Sequence, residues 1–131
     1  MNNSMKEKAS ILIVDDDISL CQTMSLVLKH KGYAVITAND GLEATGRVET
    51  RPFDMVFLDI KMPLMDGVET YRRIKRTRPE TVVVMMTAYA VEDLVQEALR
   101  EGAYGVMYKP LDMEEILRLV DDISERKTRD G

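Results

Sequence analysis

The chain has 131 residues, with 18 Lys and Arg against 23 Asp and Glu and 45% hydrophobic residues. That size and balance specify one globular domain, able to bury about two-thirds of the surface its unfolded chain would expose without metal or disulfide staples. A net charge of −5 argues against nucleic acid or anionic lipid as a partner, since both select clustered Lys and Arg, and favours a cationic partner or a metal ion. The single cysteine, Cys21, excludes an intrachain disulfide, and nothing in Met1–Ser10 resembles an apolar signal segment. No apolar run approaches the roughly 20 residues of a membrane-spanning helix. The compartment expected on these grounds is the cytoplasm.

In chain order, short apolar runs rich in β-branched residues alternate with longer amphipathic stretches, the signature of βα units around a parallel sheet. Ser10–Val14 predicts the first strand. From Asp17 to Lys31, Leu20, Met24, Val27 and Leu28 recur at helical spacing and Gly32 supplies a stop, which predicts the first helix. Ala34–Thr37 reads as a strand followed by a helix over Gly41–Glu49, and Met55–Leu58 as a strand followed by a helix over Gly67–Lys75. Val82–Met86 and a helix over Val91–Arg100 come next, then a strand at Gly105–Tyr108. The last helix starts from Asp112 as N-cap, carries Glu115 three residues later, and buries Ile116, Leu119, Val120 and Ile123. Three of the strands are continuously apolar, as strands buried on both faces are. Right-handed crossovers make a doubly wound α/β sandwich the most economical architecture: a five-stranded parallel sheet in order 2-1-3-4-5 with five helices. The domain spans residues 10–125, between a flexible leader at 1–9 and a polar tail or the start of a linker at 126–131.

In a sheet of that order the ligand crevice opens at the carboxyl ends of the strands where the order reverses, between the first and the third. Both end in carboxylates, since Ile11-Leu12-Ile13-Val14 runs into Asp15-Asp16-Asp17 and Met55-Val56-Phe57-Leu58 into Asp59. Asp17 or Asp16 is accounted for as the cap of the first helix, and Asp59 alone reads as the start of a loop through Pro63 to Asp66-Gly67. Capping uses one side chain and leaves the rest of the cluster unexplained. At about 4 Å and an effective dielectric near 20, each like-charged pair repels by about 4 kcal/mol, which raises a pKa or recruits a cation. Oxygen ligands without His or a second Cys select a hard ion, and carboxylates completed by water and phosphate are the usual setting of Mg2+. Thr87, directly after the fourth strand, and Lys109, directly after the fifth, share the same rim. Singly they read as a helix cap and a solvated charge. Jointly, a hydroxyl, an ammonium and a metal-bearing carboxylate cluster can neutralise the equatorial oxygens of a transferring phosphoryl group.

These residues resemble those of the receiver domains of bacterial two-component response regulators, over about Ser10 to Glu125. The motifs are Ile11-Leu12-Ile13-Val14-Asp15-Asp16, Asp59-Ile60-Lys61-Met62-Pro63 with Asp66-Gly67 following, Met86-Thr87-Ala88, and Lys109-Pro110. The resemblance implies a flavodoxin-like fold and a phosphoacceptor switch. In it Asp59 accepts the phosphoryl group, while Asp15, Asp16 and Asp59 hold Mg2+ together with the backbone carbonyl of Lys61. Thr87 binds a phosphoryl oxygen and Lys109 pairs with the phosphate. Asp59 then acts as a carboxylate nucleophile giving a mixed anhydride. The implied donor is the phosphohistidine of a sensor histidine kinase; His30, on the predicted first helix, is an ordinary surface or packing histidine. The chain would catalyse only its own phosphorylation and dephosphorylation and pass its state to an output domain or downstream protein. The fourth helix, fifth strand and fifth helix would form the surface that changes and can dimerise. A cis Lys109–Pro110 peptide is also implied, for which a tertiary amide costs only about 0.5–1 kcal/mol.

The chain departs from the family at one position. Three residues before the lysine, where receivers commonly carry an aromatic ring, stands Val106, so a switch would rest on displacement of Thr87 and backbone movement over Ala88–Val91. Tyr104 and Tyr108 share a strand face with Val106 and read as ordinary strand aromatics. Three rival readings fit less well. A haloacid-dehalogenase-like phosphatase would use Asp15 as nucleophile and leave Asp59 and Lys109-Pro110 unexplained. A flavodoxin-like nucleotide binder would want a phosphate cradle where this chain has three aspartates. A phosphorylation-independent interaction module on the same fold is kept open by Val106 alone. In the family, the second residue after the acceptor and the second after the threonine tune phosphate lifetime; here they are Lys61 and Tyr89, both large enough to shield an acyl phosphate from water. Tyr89→Ala should therefore lose its phosphoryl group faster in Mg2+, followed by intact mass, and an unchanged rate would remove the shielding role.

Overall fold

The protein is described by a computed structural model over residues 8–88 and 92–130. Elements follow in strict alternation: β1 (Ser10–Val14), α1 (Ile18–His30), β2 (Ala34–Ala38), α2 (Gly41–Thr50), β3 (Met55–Asp59), α3 (Gly67–Thr77), β4 (Val82–Thr87), α4 (Glu92–Arg100), β5 (Gly105–Tyr108) and α5 (Met113–Asp130). The strands pair in parallel in the order β2-β1-β3-β4-β5. The doubly wound sheet read from the sequence is the one observed. Two strand ends differ from expectation in a way that matters. Asp59 and Thr87 still pair across the sheet, with Met86 and Tyr108 respectively. They are the last rungs of the ladder, not the first residues of loops, so the sheet itself fixes their backbones.

The continuous apolar runs are divided between two cores by the alternation of a strand. Leu12, Val14, Val56, Leu58, Val83 and Met85 face α2, α3 and α4. Ile11, Ile13, Met55, Phe57, Val84 and Met86 face α1 and α5, where Met24, Leu28, Ile116, Val120 and Ile123 complete the layer. Of the side chains expected in the core, Leu20, Val27 and Leu119 are only partly buried. They lie at the margins of the apolar stripes.

Four helices begin with an aspartate whose carboxylate accepts a backbone N–H of the first turn: Asp17 from Leu20 at 3.1 Å, Asp40 from Glu43 at 2.8 Å, Asp66 from Glu69 at 2.9 Å and Asp112 from Glu114 at 2.9 Å. The choice left open for α1 therefore falls on Asp17, which leaves Asp16 without that duty. Helices α1 and α4 end alike. Gly32 and Gly102 adopt φ of 98° and 107°, and the N–H groups of Tyr33 and Ala103 close back on Leu28 and Ala98. At the chain ends, the Ala9 carbonyl accepts from Ala34, so the last residue of the expected leader is tied to the sheet. Residues 126–130, read as a polar tail or linker, continue α5. Among the described residues no helix is long and apolar enough to cross a membrane.

Gly46 sits exposed inside α2, and a Cβ there would meet nothing within 4 Å. Gly46→Ala should stabilise the protein by about 0.5–1 kcal/mol through helix propensity alone. Denaturant unfolding would read this as a higher midpoint at unchanged slope, and a midpoint at or below that of the wild type would refute it.

Candidate functional site

The parallel register brings the carboxyl ends of β1, β3, β4 and β5 to one edge of the sheet. Asp15, immediately after β1, is fully buried, and its N–H donates to the Ala38 carbonyl at 3.1 Å. Its Oδ1 accepts the Asp17 N–H at 2.9 Å and its Oδ2 lies 2.6 Å from the Lys109 ammonium. Its carbonyl accepts from Asn39 Nδ2 at 3.2 Å and Cys21 Sγ at 3.4 Å. Asp16, one residue on, stays exposed. At the end of β3 Asp59 is 4% exposed, with Oδ2 at 3.5 Å from Lys109 Nζ. Carboxylate oxygens of Asp15, Asp16 and Asp59 lie within 4.8 Å of one another.

Of the remaining expected residues, Thr87 and Lys61 adjoin this group. Thr87 is fully buried at the end of β4, and its carbonyl accepts the Lys109 N–H at 2.8 Å, which ties the two strand ends together. Lys61 is exposed and its backbone N–H donates to Asp59. The Lys109–Pro110 peptide is cis. Val106 packs with Leu94 against the core beneath α2–α4. Tyr108 is 57% exposed at the end of β5, and Tyr104, which falls just before that strand and not within it, reaches Asp122 on α5 with its hydroxyl at 3.1 Å, so both are surface aromatics. His30 is exposed in the last turn of α1, at the amino-terminal edge of the sheet. Tyr89 lies outside the described residues, as do positions 90 and 91 of the loop expected to move. Two residues at the site were not anticipated. Asn39, the first residue after β2, and Cys21, one turn into α1, both hold the Asp15 carbonyl. The place of Asn39 after a strand at the same edge was the available signal.

Between β3 and α3 the chain makes a tight loop. The Met65 N–H donates to the Pro63 carbonyl at 2.8 Å, closing a three-residue turn around Leu64. That leucine has φ of 74° and is 81% exposed, so it carries a backbone conformation costly to an L-residue without burying its side chain.

Charge is unevenly matched here. Burial, and then the neighbouring Asp15, push the Asp59 carboxyl up to about 6, against the pull of Lys109 and the Lys61 N–H. Burial disfavours the Lys109 ammonium, but Asp15 and Asp59 outweigh it and hold its pKa above the ordinary value. Burial and Asp15 raise the Cys21 thiol to about 11, so it stays protonated. Three carboxylates face one ammonium. The excess of two negative charges, presented by hard oxygen donors with no imidazole or thiolate in the cluster, fits a hard dication such as Mg2+.

The family model described as the response regulator receiver domain matches residues 11–121. The transcriptional regulatory protein ZraR of Klebsiella oxytoca is 44% identical over 110 residues, which are 84% of this chain and 25% of that protein. This chain thus spans about a quarter of the length of the ZraR relatives it matches. Sporulation initiation phosphotransferase F of Bacillus subtilis is 39% identical over 112 residues, 86% of this chain and 89% of that protein. Among solved structures, a CheY-like response regulator receiver domain protein from Methanospirillum hungatei has a TM-score of 0.91 at 28% identity, covering 96% of this chain and 100% of its own.

The electrostatics of Asp59 predict a pH signature in the absence of divalent cations. Its folded pKa of about 6 lies above the ordinary 3.8, so between those values the native state holds more protons than the unfolded one, and stability falls as pH rises through that window. Asp59→Asn removes this loss. Its advantage in melting temperature over the wild type should widen by a few degrees from acidic to neutral pH in chelator, and a pH-independent difference would show an ordinary carboxyl.

Proposed function

This chain belongs to the response regulator receiver domain family, and from that premise we propose that Asp59 is its phosphoacceptor, served by Mg2+ and by the side chains of Asp15, Asp16, Thr87 and Lys109. Receiver domains of response regulators are signalling switches that partner with histidine kinases and output domains, and the family typically binds Mg2+ at acidic residues. The observation that carries the assignment is the buried Asp59 carboxylate, with the Lys109 ammonium at 3.5 Å and two further carboxylates within 4.8 Å. Asp15 is fully buried with its Oδ2 held 2.6 Å from Lys109, whereas Asp59 keeps slight exposure and the longer 3.5 Å contact, which favours Asp59 as nucleophile.

In the reaction we infer, an Asp59 oxygen attacks phosphorus as the bond to the donor imidazole nitrogen breaks, and the imidazole leaves with the electron pair. Asp15, Asp16, Asp59 and the Lys61 carbonyl would hold Mg2+, which when bound offsets negative charge on the phosphoryl oxygens. Lys109 would supply a second positive charge, and the Thr87 hydroxyl would donate to a phosphoryl oxygen. Burial of Asp59 and Thr87 limits access of water to the acyl phosphate, and Lys61 and Tyr89, by their size, are the residues proposed to lengthen its lifetime. On this reading the chain works in the cytoplasm, catalyses no reaction beyond gaining and losing its own phosphoryl group, and receives it from a sensor histidine kinase. It passes its state to an output domain or downstream protein through α4, β5 and α5, a surface also available for phosphorylation-dependent dimerisation.

Intact mass after incubation with acetyl phosphate tests this. The wild type should gain one phosphoryl group in Mg2+ and none in chelator, Asp59→Asn should gain none, and Lys109→Ala should be slowed by about 10²-fold. No gain by the wild type under any condition would overturn the assignment.

A further inference from the structure

Gly67 is the first residue of α3, and its N–H donates to the Ile60 carbonyl at 2.7 Å. A Cβ at this position would lie 2.4 Å from the Asp59 carbonyl oxygen, 2.6 Å from Ile60 Cα and 2.9 Å from the Ile60 carbonyl oxygen. All three are backbone atoms, so no rotamer change relieves the contact. Either α3 retreats or the end of β3 moves, because close-packed interiors transmit such strain and do not absorb it. The end of β3 is the segment that presents Asp59. On its far side it is fixed by β4, where Asp59 pairs with Met86 and the Ile60 N–H donates to the Met86 carbonyl at 2.9 Å. The connection between the two contacts has little slack, since residues 61–66 already contain the strained turn at Leu64. Displacement at position 67 is therefore delivered to Asp59 and to the neighbouring Lys61 carbonyl.

We propose that Gly67 is a positioning residue for the phosphorylation site: the missing Cβ lets α3 seat directly on the Asp59–Ile60 backbone, and this contact sets where the Asp59 carboxylate and the Lys61 carbonyl stand relative to Asp15 and Asp16. The inference rests on the assignment of those groups as the Mg2+ and phosphoryl site. Its consequence is selective. Adding one methyl group to a residue that itself touches neither metal nor phosphate lowers Mg2+ affinity, apart from any loss of stability.

The test compares Mg2+ binding by isothermal titration calorimetry, phosphorylation by acetyl phosphate and thermal midpoint in the wild type, Gly67→Ala and Val120→Ala. Val120 is buried on the α1–α5 face of the sheet, and its truncation serves as a destabilised comparator away from the loop. To keep the variant folded, Gly67→Ala is also made in a Gly46→Ala background. Gly67→Ala should bind Mg2+ more than tenfold more weakly and require correspondingly more Mg2+ for phosphorylation, while Val120→Ala loses stability but keeps the wild-type affinity. A folded Gly67→Ala with affinity within twofold of the wild type overturns the proposal. So does an equal loss of affinity in Val120→Ala, or failure of Gly67→Ala to fold in both backgrounds, since either assigns Gly67 a structural role alone. If the wild type itself neither binds Mg2+ nor gains a phosphoryl group, it is the functional assignment that fails.

Discussion

The Lys109 ammonium sits 2.6 Å from Asp15 and 3.5 Å from Asp59, and the arrangement of the carboxyl edge depends on that shared ion pair. Burying two carboxylates side by side is strongly unfavourable in a medium of low polarity, and an uncompensated buried charge typically costs about 3–5 kcal/mol. One ammonium makes the pair tolerable without neutralising it. The raised Asp59 carboxyl, at about 6, records what is left over. A site that is fully compensated has no use for a cation, whereas one with excess negative charge and hard oxygen donors is poised to take one.

The parallel sheet makes such an arrangement affordable in conformational terms. Four of the participating residues lie at the ends of four different strands, far apart in the chain, and each backbone is held by a neighbouring strand and not by its own loop. Asp59 and Thr87 are rungs of the ladder, Asp15 hangs from Ala38, and Lys109 from Thr87. Entropy that loops would have to lose to fix these side chains is lost once, when the sheet forms. The helices contribute by close approach, as at Gly67, where α3 rests on the backbone it supports.

Val106, three residues before Lys109, stands where the proposed switch would otherwise have an aromatic ring. An aromatic ring at that position can turn between buried and exposed states about χ1, but valine is short and stiff and here is packed with Leu94 against the core. Tyr104 and Tyr108 are already at the surface, the first held by Asp122. The threonine is joined to the outer strand by its pairing with Tyr108 and by the hydrogen bond from the Lys109 N–H to the Thr87 carbonyl. Movement of the end of β4 is thereby coupled to β5 through the backbone.

Much of this was legible in the chain itself, because the signals are local and periodic. Continuous apolar runs name the strands, Asp before helical periodicity names the starts of the first and last helices, and carboxylates, a threonine and a lysine at strand ends name the site. Strand boundaries came within a residue because β-branched runs end abruptly at polar residues. The choice of Asp17 over Asp16 as the cap could not be read, since both types satisfy a helix start and only the direction of the chain leaving β1 separates them. Nor could Asn39 and Cys21 be identified as holding the Asp15 carbonyl, or Gly67 as the seat of Asp59, because these contacts join separate elements and depend on how closely they pack. Composition and periodicity thus determined the fold and the cast of charged groups. Tertiary structure decided which carboxylates are buried, which is paired to Lys109 and how closely they stand, because burial and distance, which set electrostatic energy, exist only once the strands are side by side.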